Sequence, residues 1–244
     1  MRIGVKPGQI GLSIEELRRS WREAEDAGFE SLWTFDHLTL ADGRLMYEAT
    51  ALLAAMAELT ERVRIGCLVL ANGTRRVETL AATLGTIDAL SDGRLDIGLG
   101  AASSFARRDF DALGIPYPPW PERIAMLTAS VDRLTELTGP DSPLGARPVQ
   151  SPLPLILGGT SRAIRELAIA RGLAWNLSAD SVEQFRELMA GQPDPQAQVL
   201  VADPAAMPET VAAYRDAGAT RLVLILVPPI ASGSIARLAR LAGL

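Results

Sequence analysis

Several residue types and patterns are rare or missing in this 244-residue chain, and each absence excludes a class of protein or site. Cys67 is the only cysteine, which excludes an internal disulfide framework and a metal site built from several thiolates. The sequence has no run of about eighteen uncharged apolar residues, and it does not open with a basic stretch followed by an apolar one. We therefore expect a cytoplasmic protein that holds no metal and does not contact a membrane.

Positive charge is also limited. The formal net charge is -5, and no basic cluster is interleaved with aromatic residues, so we do not expect nucleic acid as a partner. The GxGxxG, Walker A, GxSxG and HExxH motifs are absent, which argues against Rossmann-type nucleotide binding, serine hydrolysis and zinc proteolysis. Lys6 is the only lysine, so a Schiff-base aldolase has little support. A small-molecule substrate of another kind is expected.

What the chain does contain is an alternation of strand-like and amphipathic helical segments, and 48% of its residues are hydrophobic. This alternation is typical of βα units with a parallel sheet. Eight parallel strands close a barrel, and about 250 residues is a usual length for one. We predict an α/β fold, a compact (β/α)8 TIM barrel, as a single domain over residues 1–244. The expected strands centre near Ile3, Leu32, Ile65, Ile97, Ile156, Trp175, Leu200 and Leu224.

Helix signals support this arrangement. Ser13 and Glu16 form a capping-box pattern at the start of the first helix, and the sequence Asp-Ala-Gly at 26–28 recurs at 216–218. The interval between the fourth and fifth strands is the longest. Its first part, residues 101–121, follows a strand and should lie on the active-site face of the barrel.

Asp36 and His37 are the first candidates for chemistry, because they directly follow the second strand, where barrel enzymes place catalytic groups. A carboxylate beside an imidazole would favour its charged form or fix its tautomer. The alternative is a helix-capping aspartate next to a loop histidine, and the sequence leaves the two interpretations open.

Two glycine patterns indicate a ligand site. In the fourth strand Gly98 and Gly100 alternate with aliphatic residues, which predicts open space in the upper barrel, although a glycine in a strand also marks a simple bend. After the fifth strand, Gly158, Gly159, Thr160 and Ser161 precede a helix, a pattern suited to binding phosphate at a helix N-terminus. An ordinary glycine turn with a Ser or Thr cap is the alternative.

Together these segments resemble the bacterial luciferase-like family, especially its branch that depends on the deazaflavin coenzyme F420. The resemblance covers about residues 1–178 and rests on EDAGFESLWTFDHL, VRIGCLVLANGTRR, LSDGRLDIGLG, ALGIPYPPWPER and PLPLILGGTSR. It implies a deazaflavin or FMN ring at the barrel mouth, a non-prolyl cis peptide at Leu68–Val69 that supports the ring, and a phosphate-bearing tail near the glycine turn. The cofactor contacts it implies are Asp36, His37, Leu68, Val69, Asn72, Gly100, Ala101, Gly158, Gly159, Thr160 and Ser161.

The functional hypothesis is hydride transfer between coenzyme F420 and a small organic substrate, with His37 as proton donor or ring-orienting group and Asp36 holding His37. The alternatives are an FMN-dependent monooxygenase of the same fold and a non-catalytic flavin-binding protein. Relatives often carry an acidic proton donor where this chain has Ala102-Ser103-Ser104-Phe105, so the usual auxiliary acid is missing. The insertions are shortened, and a homodimer, frequent among relatives, is possible.

Overall fold

A computed structural model describes residues 1–179 and 181–244, and in this part of the chain eight parallel strands close a barrel in sequence order. The predicted (β/α)8 fold is confirmed. The strands are β1 Arg2–Pro7, β2 Ser31–Thr34, β3 Arg64–Ala71, β4 Leu95–Gly100, β5 Leu155–Gly158, β6 Ala174–Ser178, β7 Pro195–Leu200 and β8 Arg221–Leu226. Each strand centre predicted from the sequence lies inside its strand.

Strand β7 is the least well placed of these predictions, because Leu200 is its last residue rather than its centre. The strand begins with the polar sequence PQAQ. In β7 Gln196 is buried and Gln198 lies at the barrel mouth. Because these positions hold polar residues instead of aliphatic ones, the alternation that indicates a strand is missing there.

The helices surround the barrel. They are α1 Ile14–Asp26, α2 Ala49–Leu59, α3 Val77–Leu90, α4 Arg107–Leu113, α5 Trp120–Leu137, α6 Arg162–Arg171, α7 Val182–Met189, α8 Met207–Asp216 and α9 Ser234–Ala242, with short 3-10 turns at Ser104–Ala106 and Pro204–Ala206. The capping box at Ser13 and Glu16 is present. No helix in the described residues is both long and apolar enough to cross a bilayer.

The main hydrophobic core lies between the strands and the helices, and it includes Ile3, Leu32, Ile65, Ile97, Leu157 and Trp175. The C-terminal helix α9 packs against α1 and α8 and buries Ile235 and Leu238 there. Its apolar face is therefore used within the chain.

The centre of the barrel is filled by Trp33 of β2. A Cβ atom added at Gly66 would lie 2.4 Å from the Trp33 ring, and one added at Gly4 would lie 2.8 Å from its Nε1 atom. These two glycines are therefore required for the indole to fit. The indole therefore fills the interior of the barrel below the carboxyl ends of the strands.

Candidate functional site

A cavity of about 540 Å³ opens at the carboxyl ends of the strands, where the sequence predicted the working site. Ten of the eleven predicted site residues line it, namely Asp36, His37, Leu68, Val69, Gly100, Ala101, Gly158, Gly159, Thr160 and Ser161. The eleventh, Asn72, lies in the turn after β3, where its amide donates to the carbonyl of Gly100 at 3.0 Å. A wider depression of about 970 Å³ between α1 and α9 lies on the outside of the barrel and is lined mainly by charged side chains.

The floor of the cavity is the segment Leu68–Val69, where the pairing of β3 with β4 shifts register. The peptide bond between these residues is cis, as the resemblance implied. Leu68 is buried and packs on Trp33, whereas Val69 is partly buried and faces the cavity. A flat ring placed at the mouth would therefore contact an aliphatic surface.

The glycines of β4 and β5 leave the room that the floor segment occupies. A Cβ at Gly100 would lie 2.5 Å from Val69 Cγ2, and a Cβ at Gly158 would lie 2.3 Å from Val69 Cγ1. A Cβ at Gly98 would lie 2.3 Å from the carbonyl oxygen of Cys67. The space predicted from the glycine alternation is thus occupied by the bulge of β3, and the room for a ligand lies above Val69.

Lys6 lies directly behind the floor. Its ammonium donates to the carbonyl oxygen of Leu68 at 2.8 Å and to Oε1 of Gln198, and it stands 4.5 Å from the centre of the Phe35 ring. The residue is 1% exposed, and this burial lowers its pKa from 10.5 to about 7. A neutral amine has two N–H groups, which match these two acceptors. Lys6 therefore positions floor and rim residues without itself lining the cavity.

Asp36 does not hold His37, so that part of the prediction is wrong. Its carboxylate accepts from Arg75 at 2.7 and 2.8 Å and from the amide of Ala71 at 2.8 Å. Arg75 also pairs with Glu48. Burial opposes the charge of Arg75, but hydrogen bonds to Asp36 and Glu48 raise its pKa further. Asp36 thus ties the end of β2 to β3 and to the start of α2.

His37 is held instead by Asp109 of α4, 72 residues further along the chain, with Nδ1 3.0 Å from Oδ2. Asp109 also accepts from the amides of Leu38 and Thr39, each at 2.9 Å, and from the Thr39 hydroxyl at 3.0 Å. Burial opposes ionisation of Asp109, but these hydrogen bonds outweigh it and lower its pKa.

This pair has a defined protonation pattern. An ionised carboxylate only accepts hydrogen bonds, so the proton between Asp109 and His37 belongs to Nδ1 of the imidazole. The His37 side chain is 28% exposed at the cavity. Nε2 is then the nitrogen that can exchange a proton with a ligand.

The helix that follows the glycine turn begins as predicted. Ser161 caps α6, and its hydroxyl accepts from the amide of Ile164 at 3.3 Å. Gly159 has φ of +138°, a conformation that excludes other residue types there. Gly159, Thr160 and Ser161 all border the cavity, so a helix N-terminus, which favours anions, opens onto it.

Several residues at this site carried no signal in the sequence. Asp109 reaches His37 only because α4 folds back over the end of β2. Arg75 lies within the segment ANGTRR but had no predicted partner, and Lys6 was noted only as the single lysine. The predicted position of residues 101–121 is confirmed, since Ala101, Ala102, Ser103, Phe105, Ala106 and Trp120 line the cavity.

Solved structures share the (β/α)8 barrel of this protein. An F420-dependent secondary alcohol dehydrogenase in complex with an F420–acetone adduct superposes with a TM-score of 0.80 at 17% identity, over 98% of this chain and 97% of that chain. The oxygenating component of 3,6-diketocamphane monooxygenase from Pseudomonas putida, in complex with FMN, gives a TM-score of 0.68 at 15% identity, over 91% and 66%. At these identities the similarity establishes the fold alone.

The sequence identifies the family within this class. Residues 1–217 match the family described as luciferase-like monooxygenase, and the chain belongs to that family. An F420-dependent glucose-6-phosphate dehydrogenase from Intrasporangium calvum is 31% identical over 140 residues, which is 56% of this chain and 42% of the relative. The match thus spans less than half the length of this curated relative.

Proposed function

We propose that the chain is a coenzyme F420-dependent oxidoreductase that transfers a hydride between the deazaflavin and a small organic substrate. Relatives described as F420-dependent support the choice of cofactor. The residues at the mouth fit such a group, because Val69 offers an aliphatic surface and the room for a ligand lies above it. Thr160 and Ser161 at the start of α6 would hold a phosphate.

The observation that carries the proposal is the His37–Asp109 pair at the rim of the cavity. The deazaflavin, when bound, supplies hydride-transfer chemistry. The chain supplies the proton: Asp109 keeps Nδ1 protonated, and Nε2 of His37 gives a proton to the substrate oxygen or takes one from it. General acid–base help of this kind contributes a factor of about 10² to 10⁴ in rate.

The first test is a titration of the purified protein with F420 and, separately, with FMN, followed by absorption and fluorescence. Saturable binding of F420 with no response to FMN is expected. Tight binding of FMN alone would replace the proposal with the FMN-dependent monooxygenase alternative, which the FMN complex of a similar barrel favours. Binding of F420 without turnover of any small alcohol or carbonyl compound would favour the non-catalytic alternative.

The second test uses variants of the pair. His37→Ala and Asp109→Asn should lower turnover by about 10² or more while the dissociation constant of F420 changes far less. Asp111→Asn, an exposed aspartate two positions along the same helix, is the matched control and should behave as the wild type. An unchanged rate in His37→Ala would overturn the role assigned to this residue.

A further inference from the structure

The side of the cavity formed by the segment that follows β4 is apolar. It consists of Ala101, Ala102, Phe105, Ala106 and Trp120, which we call the outer wall. Phe105 is 79% exposed and Trp120 is 39% exposed, whereas Phe29, Trp33 and Phe110 are buried. A single exposed aromatic residue needs no explanation, but two on the rim of one cavity provide an apolar surface that a ligand can cover.

Residues behind the outer wall hold two of its members, Ala102 and Trp120, in place. The Tyr117 hydroxyl donates to the carbonyl of Ala102 at 3.1 Å, and Arg123 donates to the same carbonyl. The Arg123 guanidinium lies 4.3 Å from the centre of the Tyr117 ring and 5.0 Å from that of Trp120. Ala102 has φ of +55°, a conformation that these contacts maintain. A wall built before the ligand arrives can select by shape and polarity.

Among the described residues, the lining of the cavity offers a substrate no unpaired cationic side chain, because His37, when it carries protons on both ring nitrogens, is paired with the carboxylate of Asp109. Among the described residues that line it, none is lysine or arginine. The cations behind the lining are already engaged: Arg75 by Asp36 and Glu48, and Arg123 by backbone carbonyls. A substrate carboxylate or phosphate would therefore lose its hydration without gaining a counter-ion, which is strongly unfavourable. The start of α6 is assigned to the cofactor.

We propose that the outer wall is the substrate-recognition surface and that it selects a neutral alcohol or carbonyl compound with an aromatic or branched apolar body, and rejects sugar phosphates and carboxylates. The inference rests on the proposed function, since His37 supplies the proton. In the reductive direction the carbonyl carbon gains a hydride from the reduced deazaflavin and the oxygen gains the proton of His37 Nε2. In the oxidative direction the alcohol carbon gives a hydride to the oxidised deazaflavin and the hydroxyl gives its proton to Nε2 of His37, so atoms and electrons balance.

The test compares two probes that share a phenylethyl group, benzylacetone and hydrocinnamate, in which a methyl ketone is replaced by a carboxylate. Binding is measured by calorimetry to the protein loaded with oxidised F420, which cannot reduce the ketone, and also to the protein without cofactor. Benzylacetone should bind at least about tenfold more tightly than hydrocinnamate. Butanone, which lacks the ring, should bind about tenfold more weakly than benzylacetone, because aromatic area covered by the wall is lost.

Variants locate the effect on the wall. Phe105→Ala should weaken the binding of benzylacetone about tenfold and change the affinity for F420 much less. Leu113→Ala, at an exposed apolar residue of α4 that does not line the cavity, should change neither affinity. Because both side chains are exposed, folding is not at risk. The inference is overturned, with F420 binding intact, if hydrocinnamate binds as tightly as benzylacetone or more tightly. It is also overturned if Phe105→Ala leaves the affinity for benzylacetone unchanged. Absence of F420 binding with the probe preference intact overturns the proposed function instead.

Discussion

The two ends of this barrel use the same kinds of side chain for opposite purposes. At the amino ends of the strands, Asp96 accepts from Arg64 at 2.6 Å and from Arg221 at 2.8 Å, and Arg221 also pairs with Glu30 at 2.9 Å. Here the charges cluster and close the barrel below Trp33. At the carboxyl ends, glycines and small residues keep the interior open, and the charges are drawn to the edge of the cavity.

We infer from this difference that the lower end contributes mainly to stability and the mouth mainly to ligand binding. The Arg221–Asp96 pair of the lower end is buried, so loss of either partner leaves the other with a buried charge that has fewer partners. At the upper end, the Asp36–Arg75 pair fixes the loops, and His37 is left partly exposed. Substitutions at the lower end should therefore affect folding, and substitutions at the mouth should affect the cofactor and the substrate.

The largest effect is expected from Asp96→Ala. The change leaves Arg221, 2% exposed, with a buried positive charge and fewer partners, which costs about 3 to 5 kcal/mol in the free energy of unfolding. Denaturant unfolding measures this loss. Glu166→Ala, which breaks the exposed pair with Arg162, is the control and should give no measurable change. Equal stability of the two variants would remove the proposed distinction between the ends.

Lys6→Met tests the buried lysine behind the floor of the cavity through the pH dependence of stability. The pKa of folded Lys6 is lowered to about 7, whereas the unfolded residue keeps its proton up to about 10.5. Between these values the unfolded state binds more protons, so the unfolding free energy of the wild type should rise with pH, by at most about 1.4 kcal/mol per unit. The Lys6→Met variant should lack this rise.

The relevant measurement is the difference in unfolding free energy between the wild type and Lys6→Met from pH 7 to 9. Cys67, the titratable neighbour, keeps its proton in the folded state because burial raises the pKa of its thiol well above the ordinary value of 9.0, whereas the unfolded thiol begins to ionise towards pH 9. This contribution is common to both proteins, so it cancels in their difference. A difference that stays constant with pH would mean that the two hydrogen bonds and the Phe35 ring keep Lys6 charged.

Gly158→Ala should disturb the floor. The added Cβ would lie 2.3 Å from Val69, so Val69 must move toward the cavity, at a cost of about 1 to 3 kcal/mol in stability and with weaker F420 binding. Gly145→Ala, where a Cβ meets nothing within 4 Å, is the matched control. Adding Val69→Ala to Gly158→Ala should recover the lost stability; failure to recover it would place the clash elsewhere.

The smallest effect is expected at the helix caps. Ser161→Ala should destabilise the protein by about 1 kcal/mol, because the hydrogen bond from the amide of Ile164 is lost. It should also weaken the binding of F420 about two- to tenfold. Ser13→Ala removes a comparable cap that is not part of the cavity lining, so it should lower the melting temperature similarly and leave F420 binding unchanged. Equal F420 affinity in both variants would contradict a phosphate-binding role for Ser161.

Most of the barrel could be predicted from local patterns, because a strand or helix that buries one face repeats its apolar residues with a fixed period. The exceptions have physical causes. Strand β7 was placed too late because Gln196 and Gln198 stand where aliphatic residues were expected. Helix α4 was not predicted, because it is short and lies within a loop rich in proline and small residues.

The sequence by itself determined the eight-stranded alternation, the capping of α1, and the placement of ten of the predicted site residues around one cavity. It left the serine cap of α6 as one of two interpretations. The pairings were decided only by the tertiary structure. Asp36 adjoins His37 in the chain, but the end of β2 turns it toward Arg75, and Asp109 reaches the imidazole from 72 positions away. The same holds for Lys6 and the carbonyl of Leu68, 62 positions apart. Such contacts depend on barrel closure, and no local periodicity specifies them.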